Sequence, residues 1–233
     1  MHEIKQAIIM AAGKGERMRP LTNCIPKPLI KVNGTRMIES VIEALLKNEI
    51  SPIYIVVGYQ KELFDYLDKK YKDVQLIENP YFEQANNISS LYAARNHLEN
   101  TIILDGDQII NNPKVLSKYF EISGYNSVWK DEYTYEWMQI VNNGIVESCL
   151  RDGGSCGWQL YSVSRWTEDD GQKLKKLVEQ EFEQDPYSNL YWDDLAMFKY
   201  HSDFKLGIFE MNKGDVLEID SFAELQEADP SYR

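Results

Sequence analysis

The chain of 233 residues carries 25 Lys and Arg against 37 Asp and Glu, a formal charge of −12. So acidic a balance offers no general basic face to a nucleic-acid polymer, and no run approaches the roughly 20 apolar residues that a bilayer core demands. At 43% hydrophobic and 27% charged the composition is that of a soluble globular protein, and three cysteines without CxxC spacing or neighbouring histidines read as reduced structural thiols.

Ala7 to Ala12 (AIIMAA) is a short continuous apolar run ending in glycine, which predicts a strand buried on both faces. The stretch is too short for a signal peptide, so a cytoplasmic protein is expected. After an Asn33-Gly34 turn, apolar residues recur at helical spacing from Met37 to Lys47. Ile53–Val57 predicts a second buried strand, Gln60–Tyr71 a helix, Val74–Ile77 a strand and Ser89–Leu98 a helix. Thr101–Leu104 then predicts a strand that runs into Asp105-Gly106-Asp107. Alternation of this kind implies right-handed crossovers and a parallel sheet covered by helices.

Beyond about residue 125 the rhythm changes to strand-like pieces at 126–130, 136–142, 145–150 and 157–163, with an Asn143-Gly144 turn between the middle two. Helices are expected around 168–183 and 193–200, a strand at 204–211, and a last helix after Asp220-Ser221. The expected class is therefore α/β: a Rossmann-like mixed, mostly parallel central sheet flanked by helices, with a small β-rich insertion in the second half. No repeat or linker divides residues 1–233, so a single domain is expected.

The densest chemical signal is Ala11-Ala12-Gly13-Lys14-Gly15-Glu16-Arg17-Met18-Arg19-Pro20-Leu21-Thr22. Glycines and small residues directly behind a buried strand let backbone N–H groups close around a phosphate chain, where side chains would block the approach. Neither the dinucleotide fingerprint nor the Walker A spacing is met. Arg17 falls beside the bound phosphates, and Pro26-Lys27-Pro28 restrains a second cation. Asp105 and Asp107 end a strand, at the edge where open α/β sheets bind ligands. No nucleophile triad is present, and His2, His97 and His201 share no motif. A phosphomonoester or phosphonate, already an anion at pH 7, could attack a nucleotide α-phosphate without a general base, leaving alignment and charge neutralisation as the main needs.

The second half gathers aromatics with acids in Trp129–Tyr133, Glu136-Trp137, Trp158 and Tyr191-Trp192-Asp193-Asp194. Such a mixture suits an ammonium group, through cation–π attraction worth roughly 0.5–2 kcal/mol per well-placed ring.

AAGKGERMRPLT followed by PKPL resembles the signature of the nucleotidyltransferases that activate sugar phosphates and related phosphomonoesters. The resemblance implies that Ala11, Ala12, Gly13, Lys14 and Gly15 hold a nucleoside triphosphate. It further implies that Arg17 contacts the β and γ phosphates, that Lys27 neutralises charge at the reacting phosphates, and that Asp107 and Asp220 bind Mg²⁺, with Asp105 close by. Asn86–Tyr92, Glu136-Trp137, Leu190–Asp193 and Glu218–Ser221 together more closely resemble the bacterial choline-phosphate cytidylyltransferases, which supply CDP-choline for cell-surface decoration. On that resemblance Asn87 and Ser89 lie near the base, and Trp137, Tyr191 and Trp192 line a choline site. Glu136 borders that site, and Asp193 or Asp194 balances the cation.

Residues 1–125 would then be the nucleotide-binding half, and 126–233 the half that binds the acceptor and completes the metal site. The implied partners are CTP and a small amine-bearing phosphate or phosphonate, with no nucleic acid and no membrane. Aminoethylphosphonate, phosphoethanolamine and a sugar 1-phosphate remain as other acceptors, and a nucleotide-sensing domain as the non-enzyme reading. Local charge accords with the triphosphate: residues 1–36 hold seven Lys and Arg against two acids, so the acidity resides in the remainder.

Overall fold

In a computed structural model describing residues 1–233, nine strands form one sheet. In chain order they are β1 (Gln6–Ala11), β2 (Ile53–Val57), β3 (Val74–Glu78), β4 (Thr101–Asp105), β5 (Gly124–Lys130), β6 (Met138–Asn142), β7 (Ile145–Leu150), β8 (Gly157–Trp166) and β9 (Gly207–Glu210). Their spatial order is β5-β9-β7-β6-β8-β4-β1-β2-β3. β4, β1, β2 and β3 run parallel, as the alternating pattern predicts. Beyond β4 the pairings turn antiparallel except for β5 with β9, and β5 also pairs with β8, so the strands of the second half close on one another. The sheet is mixed: β4, β1, β2 and β3 form one continuous parallel block, and β5 with β9 is the remaining parallel pair.

Helices cover both faces: α1 (Met37–Lys47), α2 (Tyr66–Lys70), α3 (Ile88–Ala93), α4 (Glu168–Gln184) and α5 (Phe222–Ala228). β1 shows why its run is apolar throughout. Ala7, Ile9 and Ala11 join the core beneath α1, while Ile8, Met10 and Ala12 join the opposite core beneath α3 and α4. Ile8 and Ile9, both fully buried, each contribute roughly 1.5–3 kcal/mol. α4 begins at Thr167, whose hydroxyl accepts from the Asp170 N–H, and α5 at a capping box between Ser221 and Glu224. No helix is long and apolar enough to cross a membrane.

Three predicted elements come out shorter. The helix expected over Gln60–Tyr71 is broken, because Gln60 takes φ +48 and opens a 3-10 turn over Lys61–Phe64 before α2. The helix expected to reach Leu98 stops at Ala93 and continues as a 3-10 turn over Arg95–His97. Around 193–200 the chain forms a π turn over Leu195–Lys199, a wide turn often found where side chains must be re-aimed at a site.

One small element decides the site. Val216–Glu218 pairs antiparallel with Gln108–Ile110, Glu218 lying opposite Gln108. This two-stranded ribbon carries Asp220 back to the strand end that bears Asp107.

Candidate active site

The loop after β1 folds around a cavity of about 300 Å³, whose lining includes Ala11, Gly13, Gly15, Arg17, Lys27, Asp107 and Asp220. Gly15 sits at φ +61, and a Cβ there would come within 2.9 Å of the Lys27 Cβ, so both conformation and close approach require glycine. The Thr22 hydroxyl donates to the Gly15 carbonyl at 2.9 Å and the Tyr59 hydroxyl donates to the Thr22 carbonyl at 2.9 Å, bracing the loop. Ala12 is buried behind the loop, and Lys14 pairs with Glu83 at 3.2 Å instead of reaching into the cavity.

Lys27 is the centre of the charge arrangement. Its Nζ lies 2.6 Å from Asp107 Oδ2 and 2.7 Å from Asp220 Oδ1, with only 9% of the side chain exposed. Burial pulls the ammonium down, but the charges of Asp107 and Asp220 more than reverse this and hold its pKa above the ordinary lysine value. Asp220 behaves conversely: burial raises its carboxyl, Lys27 and then Arg17 lower it further, and the result lies below the usual carboxylate value. Arg17 Nη2 stands 3.0 Å from Asp220 Oδ1. Two carboxylates facing one cavity are a donor set that, with phosphate oxygens, suits a hard divalent cation.

A second cavity of about 460 Å³ shares Arg17, Asp107 and Asp220 with the first and continues to Asp105, Glu136, Trp137, Tyr191, Asp193 and Glu218. Trp137 and Tyr191 meet edge to face, 6.0 Å between ring centroids. A third cavity, about 160 Å³, opens from Gly13 to Asn79, Asn86, Asn87, Ser89 and Ser90. Asn87 borders both the second and third cavities, its Oδ1 accepting from the Trp192 N–H at 2.9 Å. Ser89 is buried, donating to the Asn86 carbonyl and accepting from Asn79 Nδ2.

Acids dominate the second cavity. Asp105 is held well above its ordinary pKa by burial and then by the charges of Asp107, Asp193 and Glu218. Glu218 accepts from Gln108 Nε2 at 2.8 Å, and burial first, then Asp107 and Asp220, push its carboxyl up to about 7. Asp193 is 6% exposed and its Oδ1 has no hydrogen-bond partner, so a buried carboxylate oxygen is left free beside the cavity. Burial pushes Asp193 from 3.8 to about 7, the Tyr125 hydroxyl pulling down and Asp194 pushing up.

Two expectations need correction. Trp192 does not line the cavity. It is 2% exposed and packed in the core, near-parallel to Tyr125 at 6.2 Å and edge-on to Trp166 at 6.1 Å. The backbone turn that brings Tyr191 outward sends the next side chain inward. Asp194 is likewise turned away from the cavity, with Arg151 Nη2 2.6 Å from its Oδ1 and its Oδ2 accepting from the Tyr191 N–H. Sequence pattern alone does not mark Glu218, Ser162 or Leu160 as site residues, yet all three line the second cavity. Once Asp220 is taken as a site residue, Glu218 follows: in an extended segment it shares a face with Asp220, two residues on.

A pH dependence follows from Asp193. The folded chain keeps a proton on this carboxyl between pH 3.8 and about 7 that the unfolded chain has released, so its contribution to stability falls as pH rises through that window. Its negative charge becomes available to a cationic ligand only toward the upper end. KM for an amine-bearing acceptor should therefore fall between about pH 6 and about pH 8, and Asp193→Asn should flatten the profile. Parallel profiles for the two proteins would exclude Asp193 from cation binding.

The MobA-like NTP transferase domain model matches residues 7–152. The 2-aminoethylphosphonate cytidylyltransferase of Lancefieldella rimae is 36% identical over 99% of this chain and 94% of its own length. The choline-phosphate cytidylyltransferase of Streptococcus pneumoniae is 32% identical over 93% of each chain. A solved structure of the CTP:phosphocholine cytidylyltransferase from Streptococcus pneumoniae superposes with a TM-score of 0.91 at 31% identity, covering 99% of this chain and all of that one. With a glycine-loop cavity lined by Arg17 and Lys27 opening onto a second, acidic cavity, and with relatives of this similarity matched nearly end to end, the chain belongs to the MobA-like NTP transferase domain family and is a nucleotidyltransferase.

Proposed function

We propose that the protein is a cytidylyltransferase that moves CMP from CTP to phosphocholine, giving CDP-choline and pyrophosphate. The observation that carries this reading is the shared wall. Arg17, Asp107 and Asp220 line both the glycine-loop cavity and the aromatic, acidic cavity, so a triphosphate and an amine-bearing phosphate can meet there. Same-cavity acids and the aminoethylphosphonate-activating relative support a second acceptor, 2-aminoethylphosphonate, whose primary ammonium could donate to Asp193 and Glu218.

In the reaction an anionic oxygen of the acceptor forms a bond to the α-phosphorus of CTP as the bond to the bridging β-phosphate oxygen breaks. Pyrophosphate leaves, and no proton has to be removed from the attacking group. Asp107 and Asp220 would hold Mg²⁺, which when bound supplies charge neutralisation to the triphosphate. Lys27 and the loop amides neutralise charge on the reacting phosphates, Arg17 steadies the leaving pyrophosphate, and Asn87 and Ser89 border the base. Trp137 and Tyr191, which line the acidic cavity, would offer cation–π contacts to the acceptor's cation, with Glu136 and Asp193 beside them. We infer a cytoplasmic location, where nucleoside triphosphates are held.

Pyrophosphate release tests the reading directly. CTP, UTP, ATP and dTTP are each paired with phosphocholine, phosphoethanolamine, aminoethylphosphonate and glucose 1-phosphate, with and without Mg²⁺. Turnover should require CTP, Mg²⁺ and an amine-bearing acceptor. Turnover confined to the sugar phosphate, or none with CTP, would overturn it.

A further inference from the structure

Arg151, just past the end of β7, lies outside the cavity lining yet touches two elements that support it. Its guanidinium carbon stands 4.9 Å from the centroid of the Trp137 ring and 4.0 Å from that of Phe198. The Trp137 and Phe198 rings themselves meet edge to face at 4.9 Å. The Nη2 of the same guanidinium is 2.6 Å from Asp194 Oδ1, a charge contact rather than an aligned hydrogen bond, and the Asp194 side chain is only 6% exposed. A carboxylate so far removed from water requires a partner, and Arg151 is the one present. Asp194 in turn accepts from the Tyr191 N–H at 2.9 Å and directly follows Asp193.

We propose that the Arg151–Asp194 ion pair positions the acceptor site, Arg151 fixing the plane of the Trp137 indole and Asp194 fixing the turn that presents Tyr191 and Asp193. The pair ties a loop of the β-rich half to the start of the π turn, two segments more than forty residues apart in sequence. Arginine suits this role because its planar, charged group can stack on a ring and bind a carboxylate together, which lysine cannot reproduce. Arg151 is a positioning residue, since it does not line the cavity itself.

The inference rests on reading this cavity as the acceptor site, and kinetics on Arg151→Ala, Arg151→Lys, Asp194→Asn and the Arg151→Ala/Asp194→Asn double variant test it. Acceptor KM should rise about tenfold in Arg151→Ala while KM for CTP stays within about twofold, as expected when one wall of a pocket is misplaced. Arg151→Lys should recover only part of the loss, and the double variant should be no worse than the poorer single variant, because the two residues act as one unit. Near-ultraviolet circular dichroism should report a changed Trp137 environment. If Arg151→Ala does not fold, Asp194→Asn carries the same test, its amide oxygen still able to accept from Tyr191. Equal rises in both KM values, no rise in either, or additive losses would overturn the inference. Absence of turnover by the unaltered protein with every amine-bearing acceptor would instead overturn the proposed function.

Discussion

Replacing Lys27 with Met should lower kcat by about 10²- to 10³-fold while moving KM for CTP far less, the range seen when one preorganised charge-stabilising donor is removed from a reacting centre. Met keeps the side chain up to the position of Cε, including the atoms nearest Gly15, so the Gly15 turn retains its neighbour. What disappears is the ammonium that lies within 2.7 Å of two carboxylates. Those acids are partly open to water, with 28% of the Asp107 and 36% of the Asp220 side chain exposed, so the fold should survive their unpaired charge. Steady-state kinetics, with circular dichroism to verify folding, checks the outcome. A kcat within about threefold of the parent would remove Lys27 from the chemistry.

The second large effect separates two neighbouring aromatic positions with opposite roles. Trp192→Ala should destabilise the protein by about 3–5 kcal/mol, because it empties a core site between Tyr125 and Trp166. In a chain of this length that corresponds to a melting temperature lower by on the order of 10 °C. Acceptor KM in the fraction that remains folded should change little. Trp137→Ala should show the reverse: KM for the acceptor up about tenfold through a lost cation–π face, with a small thermal shift. Thermal melts and acceptor titrations on both variants decide it. A raised acceptor KM with an unchanged melting temperature for Trp192→Ala would return that ring to the site.

This pair also shows what a linear reading can and cannot reach. The parallel strands were legible because AIIMAA and IYIVV are apolar at every position, a pattern that water on either face would forbid. α1 was legible from spacing, and the glycine loop from the small residues that a phosphate chain demands. Tyr191 and Trp192 are both aromatic and adjacent, and which one faces solvent depends on Tyr125 and Trp166, distant in sequence. For the same reason Asp193 and Asp194 look alike until Arg151 is seen to engage only the second. The break at Gln60 is a backbone choice that helical periodicity does not register.

The ribbon that joins Gln108–Ile110 to Val216–Glu218 spans only three residue pairs, but Ile110 and Val216 belong to the core beneath α1, and Ile219 packs with Met18 and Met37 in a smaller core. With so short a ladder, these apolar anchors rather than the backbone pairing set how readily the segment opens. Opening there would carry Glu218 and Asp220 away from Asp107 and at the same time strip Ile219 from Met18 of the glycine loop. Catalytic competence, on the proposed function, is thereby a property of one packed unit, so Lys27, Asp107 and Asp220 should part together as denaturant rises. During synthesis it is likewise absent until the ribosome has passed residue 220, long after the parallel strands have been made.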